Sequence, residues 1–220
     1  MRIVAVADTH LREHELEVPP GDVFVHAGDL CRAGTLDELS IAAEWIGGLP
    51  HRHKIVVAGN HDWCFAREPV QARRRLGPDI IYLQDGGTTI EGMTVWGSPW
   101  QPWFFDWAFN LPRGEALAER WDLIPSGIDL LVTHGPPRGY GDRVSRGREG
   151  CDDLLRALDR VRPALHLFGH IHEDGGRWQH ESTTVLNVTT AEGVRAPTVV
   201  DFDPATRVVT SCVVPPPAFT

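Results

Sequence analysis

At five places in this chain an apolar run stops on residues that could do metal chemistry. The stops are Asp8-Thr9-His10, Gly28-Asp29, Gly59-Asn60-His61-Asp62, Thr133-His134-Gly135 and Gly169-His170-Ile171-His172. Asn and Asp favour turns over helix and strand interiors. One such stop, taken alone, reads equally well as a plain strand-to-helix turn. Five of matching chemistry point to a shared site. The set contains no thiolate; carboxylates, imidazoles and an amide oxygen suit Mn, Fe, Zn or Mg. The donors are too many for one tetrahedral ion and fit a pair of ions about 3.5–4 Å apart. Asp29, alone after a glycine, is the natural carboxylate to bridge them. Glycines at 28, 59, 135 and 169 let the backbone turn tightly there.

The elements that must position these groups follow from the apolar pattern. Runs at 3–7, 23–25, 54–58, 80–83, 128–132 and 164–168 read as buried strands. Thr35-Leu36-Asp37-Glu38 is a capping box that opens a helix, and Gly47-Gly48 ends it. An Arg-rich helix is expected at 66–76 and a short one at 114–122. Another opens at Asp152 and stops at Pro163. Segments 88–90 and 93–96 flank Glu91-Gly92 as a tight hairpin. The tail holds three more strand candidates, 183–188, 197–202 and 207–214. Alternating strands and helices followed by hairpins predict an α/β fold of two packed sheets with helices outside. No repeat, low-complexity segment or linker divides the chain, so residues 1–220 are expected to form a single domain. If the polar-ended strands run side by side in one direction, their ends converge on one rim, where open α/β sheets place their chemistry.

Composition narrows the partners. Lys+Arg 21 against Asp+Glu 30 leaves a net charge of −9. An acidic chain with no basic block is a poor tracker of a nucleic-acid backbone. A small phosphorylated substrate stays compatible, because bound cations reverse the local sign. Cys31, Cys64, Cys151 and Cys212 lie far apart, with neither zinc nor disulfide spacing. The first apolar run reaches Asp8 too soon for a signal peptide, and no later run approaches a membrane span. A cytoplasmic setting without membrane contact is the expectation.

The motif series Asp-x-His, Gly-Asp, Gly-Asn-His-Asp, His, Gly-His-x-His, in that order across residues 8–172, resembles the calcineurin-like binuclear metallophosphoesterases. Three further stretches are similar to its metallophosphoesterase-domain-containing subfamily, which is related to a brain-expressed vertebrate protein. They are Gly97-Ser98-Pro99-Trp100-Gln101-Pro102-Trp103-Phe104, Phe109-Asn110-Leu111-Pro112-Arg113-Gly114 and Thr133-His134-Gly135-Pro136-Pro137. The resemblance implies a four-layer α/β/β/α sandwich of two mixed sheets. It implies one ion held by Asp8, His10, His172 and the bridging Asp29, and a second held by Asp29, Asn60, His134 and His170. Manganese is the leading candidate metal. His61 would stand outside the metals, facing phosphorus, with Asp62 orienting it. Some vertebrate members carry glycine at the first histidine of Gly-His-x-His and are weak catalysts; this chain has His170. The implied function is a metal-dependent phosphodiesterase that attacks small diesters, cyclic nucleotides foremost, with a metal-bridging hydroxide. Two alternatives are carried: a nucleotide-binding or scaffold protein with negligible turnover, and a phosphomonoesterase or phosphoprotein phosphatase of the same superfamily. Against the phosphatase, the run after Gly28-Asp29 lacks the Asp-Arg-Gly ending of those enzymes.

Other features have ordinary readings first. His26 and His166 lie inside strand runs and are expected to be core or supporting residues. His14, His51, His53 and His180 are expected at the surface. Cys31 and Cys64 are expected as free thiols beside the site. The aromatic run 96–109 is expected mainly to pack, with one ring free to face the cleft as a stacking wall. Arg138, Arg143, Arg146 and Arg148 sit on a loop expected to be solvated, from which one could reach a phosphate.

Overall fold

The structure, a computed structural model, describes residues 1–218. Two six-stranded mixed sheets pack face to face. The first has the order Val208–Val213, Thr198–Asp203, Arg2–Val6, Val23–Ala27, His53–Val57, Ile81–Tyr82. The second has the order Gly176–His180, Thr183–Asn187, Leu165–Phe168, Leu130–Thr133, Met93–Ser98, Gly86–Ile90. Four neighbouring strands in each sheet are parallel, and the antiparallel pairings lie outside them.

The parallel strands are buried on both faces, which is why they read as unbroken apolar runs. Alternation still sorts their side chains. Ile3, Ala5, Val25, Ile55 and Val57 meet Leu130, Val132, Leu165 and Leu167 of the other sheet. Val4, Val6, Phe24 and Val56 point the other way, under helices. Leu36–Gly48, Trp63–Arg67 and Pro69–Leu76 cover the outside of the first sheet; Glu115–Asp122 and Asp152–Val161 cover the second. The layers therefore run α/β/β/α, as expected. Both halves of the predicted capping box form: Thr35 Oγ1 accepts the Glu38 N–H, and the Glu38 carboxylate accepts backbone N–H groups 33–35.

Some elements depart from the sequence expectation. The helix expected at 66–76 is two helices broken at Glu68, whose φ is −134°. Pro69 follows it, and a proline ring drives the preceding residue out of the helical region. Cys151, not Asp152, caps its helix, its Sγ accepting the Leu154 N–H at 3.3 Å. Gly176–His180 is an edge strand that its polar composition concealed. The loop 138–150 contains a tight hairpin, Arg143–Val144 against Gly147–Arg148. Gln101–Pro102 pairs with Asn110–Leu111 and pinches the aromatic run into a loop.

The two sheets are stitched at one rim. The Ala7 N–H donates to Val188 at 3.1 Å, and the Thr190 N–H donates to Ala7 at 2.8 Å. Across the gap, the His134 ring bonds the Ala27 carbonyl at 2.9 Å. All five polar strand ends lie along this rim.

Candidate metal centre

The chain reaches the rim in strained backbone. Asp8, His10, Asp29 and His170 have φ of 56°, 46°, 59° and 69°. Left-handed backbone at a residue other than glycine costs of order 1–3 kcal/mol and collects at functional sites. Gly59 is required by close approach: a Cβ there would lie 2.2 Å from Asp29 Oδ1 and 2.7 Å from the His134 ring. Gly28, at φ 102°, faces the same ring, and its Cβ would come within 2.4 Å of His134 Nδ1.

Three groups of donors result. Asp8, His10 and His172 have ligand atoms within 4.8 Å of one another, as do Asp29, His134 and His170, and a third set, His10, Asp29 and His61, overlaps both. Asp29 joins the groups through one oxygen: Oδ2 is 3.6 Å from His10 Nε2 and 3.4 Å from His134 Nε2. His172 Nε2 is 3.7 Å from Asp8 Oδ1. Two donors held about 2.1 Å from one tetrahedral ion sit roughly 3.4 Å apart, so these gaps have the size of an interposed cation. Asp29 Oδ1 is occupied by the His61 N–H at 2.8 Å, which leaves Oδ2 for that role. Asn60 Oδ1 lies 2.9 Å from His134 Nε2, within the second group.

The imidazole tautomers are set from behind. His10 Nδ1 faces the Cys31 carbonyl at 3.0 Å, and His134 Nδ1 faces the Ala27 carbonyl at 2.9 Å. A carbonyl only accepts, so Nδ1 carries the proton and Nε2 is presented to the site. Thr9, between Asp8 and His10, bonds buried His26 at 3.0 Å; Thr133, before His134, bonds buried His166 at 2.8 Å. Burial pushes both of these histidines down to about 3, so they stay neutral props. They support the site from beneath rather than bind in it.

Without cations the acids and bases neutralise one another. Burial disfavours charge on His134, but Asp29 outweighs it and raises the imidazole to about 9. Asp8 does the same for His172, also to about 9, against burial. Burial likewise opposes ionisation of Asp8 and Asp29, and these imidazolium partners hold both carboxyls well below the usual range. Burial lowers His170 to about 3. Cations entering here would displace the protons on His134 and His172.

Asp62, expected to orient His61, makes no hydrogen bond to its ring among the described residues. Its buried carboxylate accepts backbone N–H groups from two loops: Gly59 at 2.8 Å, Asp29 at 3.0 Å, Leu30 at 3.3 Å and Cys31 at 2.9 Å. The turn after Gly59 tucks it beneath the loop that carries Asp29. The His61 ring is held elsewhere. Its Nδ1 faces the Arg32 carbonyl at 2.6 Å, its face stacks on Trp107 at 4.0 Å, and it meets the His10 ring at 4.6 Å. Neither Arg32 nor Trp107 was singled out in sequence for this role.

The remaining expectations divide. The cleft at the rim encloses about 700 Å³ and is lined by His10, Asp29, Asn60, His61, His170 and His172. The arginine that lines it is Arg32, which bonds the His10 carbonyl at 3.1 Å and Glu192 at 2.8 Å. Arg138 and Arg148 are spent within their own loop, on the Arg148 carbonyl and Asp142. Cys31 and Cys64 are buried beneath the site; the Cys64 contact, then burial, raises the Cys31 thiol well above its usual range. His51 is not at the surface but 2 % exposed, packed 5.6 Å from Phe24. His180 is half-buried between Tyr140 and Asp159, at 3.0 and 2.8 Å. His14 is exposed as expected.

A two-sheet sandwich with acids and imidazoles gathered at one rim defines an α/β fold with a candidate metal site, and comparison with known proteins agrees. Residues 1–174 match the calcineurin-like phosphoesterase family, and the chain belongs to that family. It is 42% identical over 230 residues to human metallophosphoesterase domain-containing protein 1, covering 91% of this chain and 71% of that one. It is 40% identical over 200 residues to the UPF0046 protein K07C11.7 of Caenorhabditis elegans, covering 85% and 69%. One crystal structure superposes with a TM-score of 0.72 at 17% identity, covering 97% of each chain, a likeness of fold. Among the described residues no helix is long and apolar enough to cross a membrane.

Proposed function

We propose that this chain is a binuclear metal-dependent phosphodiesterase for small diesters, with cyclic nucleotides as the leading substrates. The observation that carries the reading is Asp29 Oδ2, shared at 3.6 and 3.4 Å between His10 of one donor group and His134 of the other. The donors fit two hard or borderline divalent ions, and manganese is the leading candidate by family resemblance. Asp8, His10, His172 and Asp29 would hold one; Asp29, Asn60, His134 and His170 the other. Bound there, such ions supply charge neutralisation and a nucleophile at neutral pH.

The chain's own groups do the rest. His61 faces the Arg32 carbonyl through Nδ1, which leaves Nε2 to carry the proton that the ring would give to the leaving oxygen. Trp107 and His10 restrict the tilt of the ring. Arg32 is the arginine at the cleft and is paired with Glu192, so its charge is already balanced. Glu173 adds a further negative charge to the lining. The absence of an unpaired arginine among the described residues of this lining supports the diester reading over a dianionic monoester.

The test is turnover by metal-stripped protein with Mn, Mg, Fe or Zn restored. Substrates are an aryl phosphodiester, an aryl phosphomonoester, and 2′,3′- and 3′,5′-cyclic nucleotides. Diester hydrolysis that requires added metal and exceeds monoester hydrolysis is expected. No diester turnover with any of the four metals would defeat the proposal.

A further inference from the structure

The two six-stranded sheets end in four edge strands, and three of these are blunted. Ile81–Tyr82 is only two residues long. Gly86–Ile90 opens on two glycines and is flanked by Asp85 and Glu91. Gly176–His180 carries Arg177, Gln179 and His180. Short length, glycine and charge all discourage an edge from pairing with another chain. The fourth edge, Val208–Val213, has none of them. Its residues, Val208-Val209-Thr210-Ser211-Cys212-Val213, are uncharged and mostly β-branched, a composition that favours strand pairing. It pairs with Thr198–Asp203 on one side, and among the described residues no backbone pairs with its other side.

This strand is symmetric about its own middle. Ser211 stands opposite Asp201 and Val209 opposite Phe202, so Thr210 is an extra residue, a bulge. The bulge is pinned from within the sheet: Thr210 Oγ1 donates to the Asp201 carbonyl at 3.1 Å and Ser211 Oγ to its carboxylate at 2.7 Å. In a regular strand Val209 and Cys212, three residues apart, would face opposite ways. With the bulge, both pack against the core between the sheets. Val208 and Val213 are left outside, 49 % and 66 % exposed. From either end the strand therefore reads valine outside, apolar residue inside, then a hydroxyl. Residues opposite one another in an antiparallel pair share a face. A second copy of the strand, turned about a two-fold axis perpendicular to the sheet, meets that condition throughout. Val208 lies against the partner's Val213, Val209 against the partner's Cys212, and Thr210 against the partner's Ser211. The self-complementarity singles out another copy of this chain over a strand of unrelated sequence.

The end of the strand adds a socket. A groove of about 460 Å³ lies there, walled by Val18, Pro19, Pro197, Val199, Val213 and Pro215. In the two-fold arrangement the partner's Val208 and the turn before it reach this groove, and the contact occurs twice. That turn is built to hold its shape. The Asp203 carboxylate accepts the Ala205 N–H at 3.0 Å and the Thr206 hydroxyl at 2.7 Å, and Arg207 is held by Asp129 at 2.6 Å. A strand pair alone is small beside the roughly 1,200–2,000 Å² of a stable interface, and two filled grooves add apolar area to it.

We infer that the chain forms a two-fold dimer by pairing Val208–Val213 with the same strand of a second copy, which joins two six-stranded sheets into one. No residue lining the metal cleft belongs to this edge or its groove, so the inference does not rest on the proposed reaction. Sedimentation equilibrium of the full-length protein over roughly 1 to 200 µM should show a monomer–dimer equilibrium. Val208→Lys and Val213→Lys, both on the exposed face, should each weaken the dimer about 100-fold, tenfold for each of two symmetric contacts, with unchanged far-UV circular dichroism. The double variant Val208→Lys with Val213→Glu sets opposite charges against each other across the two-fold and should recover the dimer. A monomer throughout that range would overturn the inference and leave the edge to a strand of another protein. A dimer indifferent to both lysine variants, or one that the double variant fails to restore, would also overturn it. So would assembly that continues past the dimer, because a two-fold strand pair closes on itself.

Discussion

Replacing Asp62 by asparagine separates two ideas of what that carboxylate does. Its Oδ2 accepts three N–H groups, from Gly59, Asp29 and Leu30, and its Oδ1 accepts one, from Cys31. Asparagine has one carbonyl oxygen. Placed at the Oδ2 position it keeps three bonds and turns its own NH₂ toward the Cys31 N–H. At least one buried donor is then unpaired, at about 1–3 kcal/mol. In a chain of this size each kcal/mol moves Tm by about 2–4 °C, so a fall of roughly 2–12 °C is expected. The loosened loops carry Asp29 and Asn60. Metal affinity should therefore fall with stability, by about the 10- to 100-fold typical of residues that orient ligands. The assays are thermal unfolding in chelator and metal content after dialysis against graded manganese. Asp62→Ala would strand all four donors and is expected to be too unstable to be informative. An Asp62→Asn protein with unchanged Tm and metal content but a displaced pH–rate profile would refute the reasoning. It would return Asp62 to a direct role on His61.

Two further outcomes follow from the same geometry. His61→Ala should retain two metal equivalents and lose about 10²- to 10⁴-fold in kcat, the range of a positioned proton donor; loss of one metal equivalent would instead make His61 a ligand. His166 is held near 3 by burial alone, against an ordinary value near 6.5. Below 6.5 the unfolded chain takes up a proton that the folded chain refuses, so stability present at neutral pH is lost as pH falls toward 3. At pH 4.5 this one group should cost roughly 3 kcal/mol, two pH units below the ordinary value. Urea titrations of wild type and His166→Gln between pH 7 and 4.5 should show the variant losing less stability by about that amount; parallel losses would contradict it.

Much of the site was legible because parallel strands buried on both faces announce themselves. Each reads as an apolar run, and the polar residues that end it must lie at the same rim as those of its neighbours. That argument needs only strand direction, and it placed Asp8, Asp29, Asn60, His134 and His170 on one rim. It fails for contacts made after the strand has ended. Asp62 follows His61 in sequence, so a carboxylate–imidazole pair was the natural expectation. The left-handed turn at Asp29 instead brings a second loop over the first, and Asp62 is consumed by that loop's amides. His61 is then oriented by a carbonyl and an indole 29 residues before and 46 residues after it, Arg32 and Trp107. Neither has a periodicity or spacing that marks it. The same failure covers His51, which follows a proline in a polar stretch yet packs under Phe24. Sequence reasoning recovers what is fixed by the direction of a strand. It misses what is fixed by one loop crossing another, and at this rim the groups that orient His61 are of the second kind.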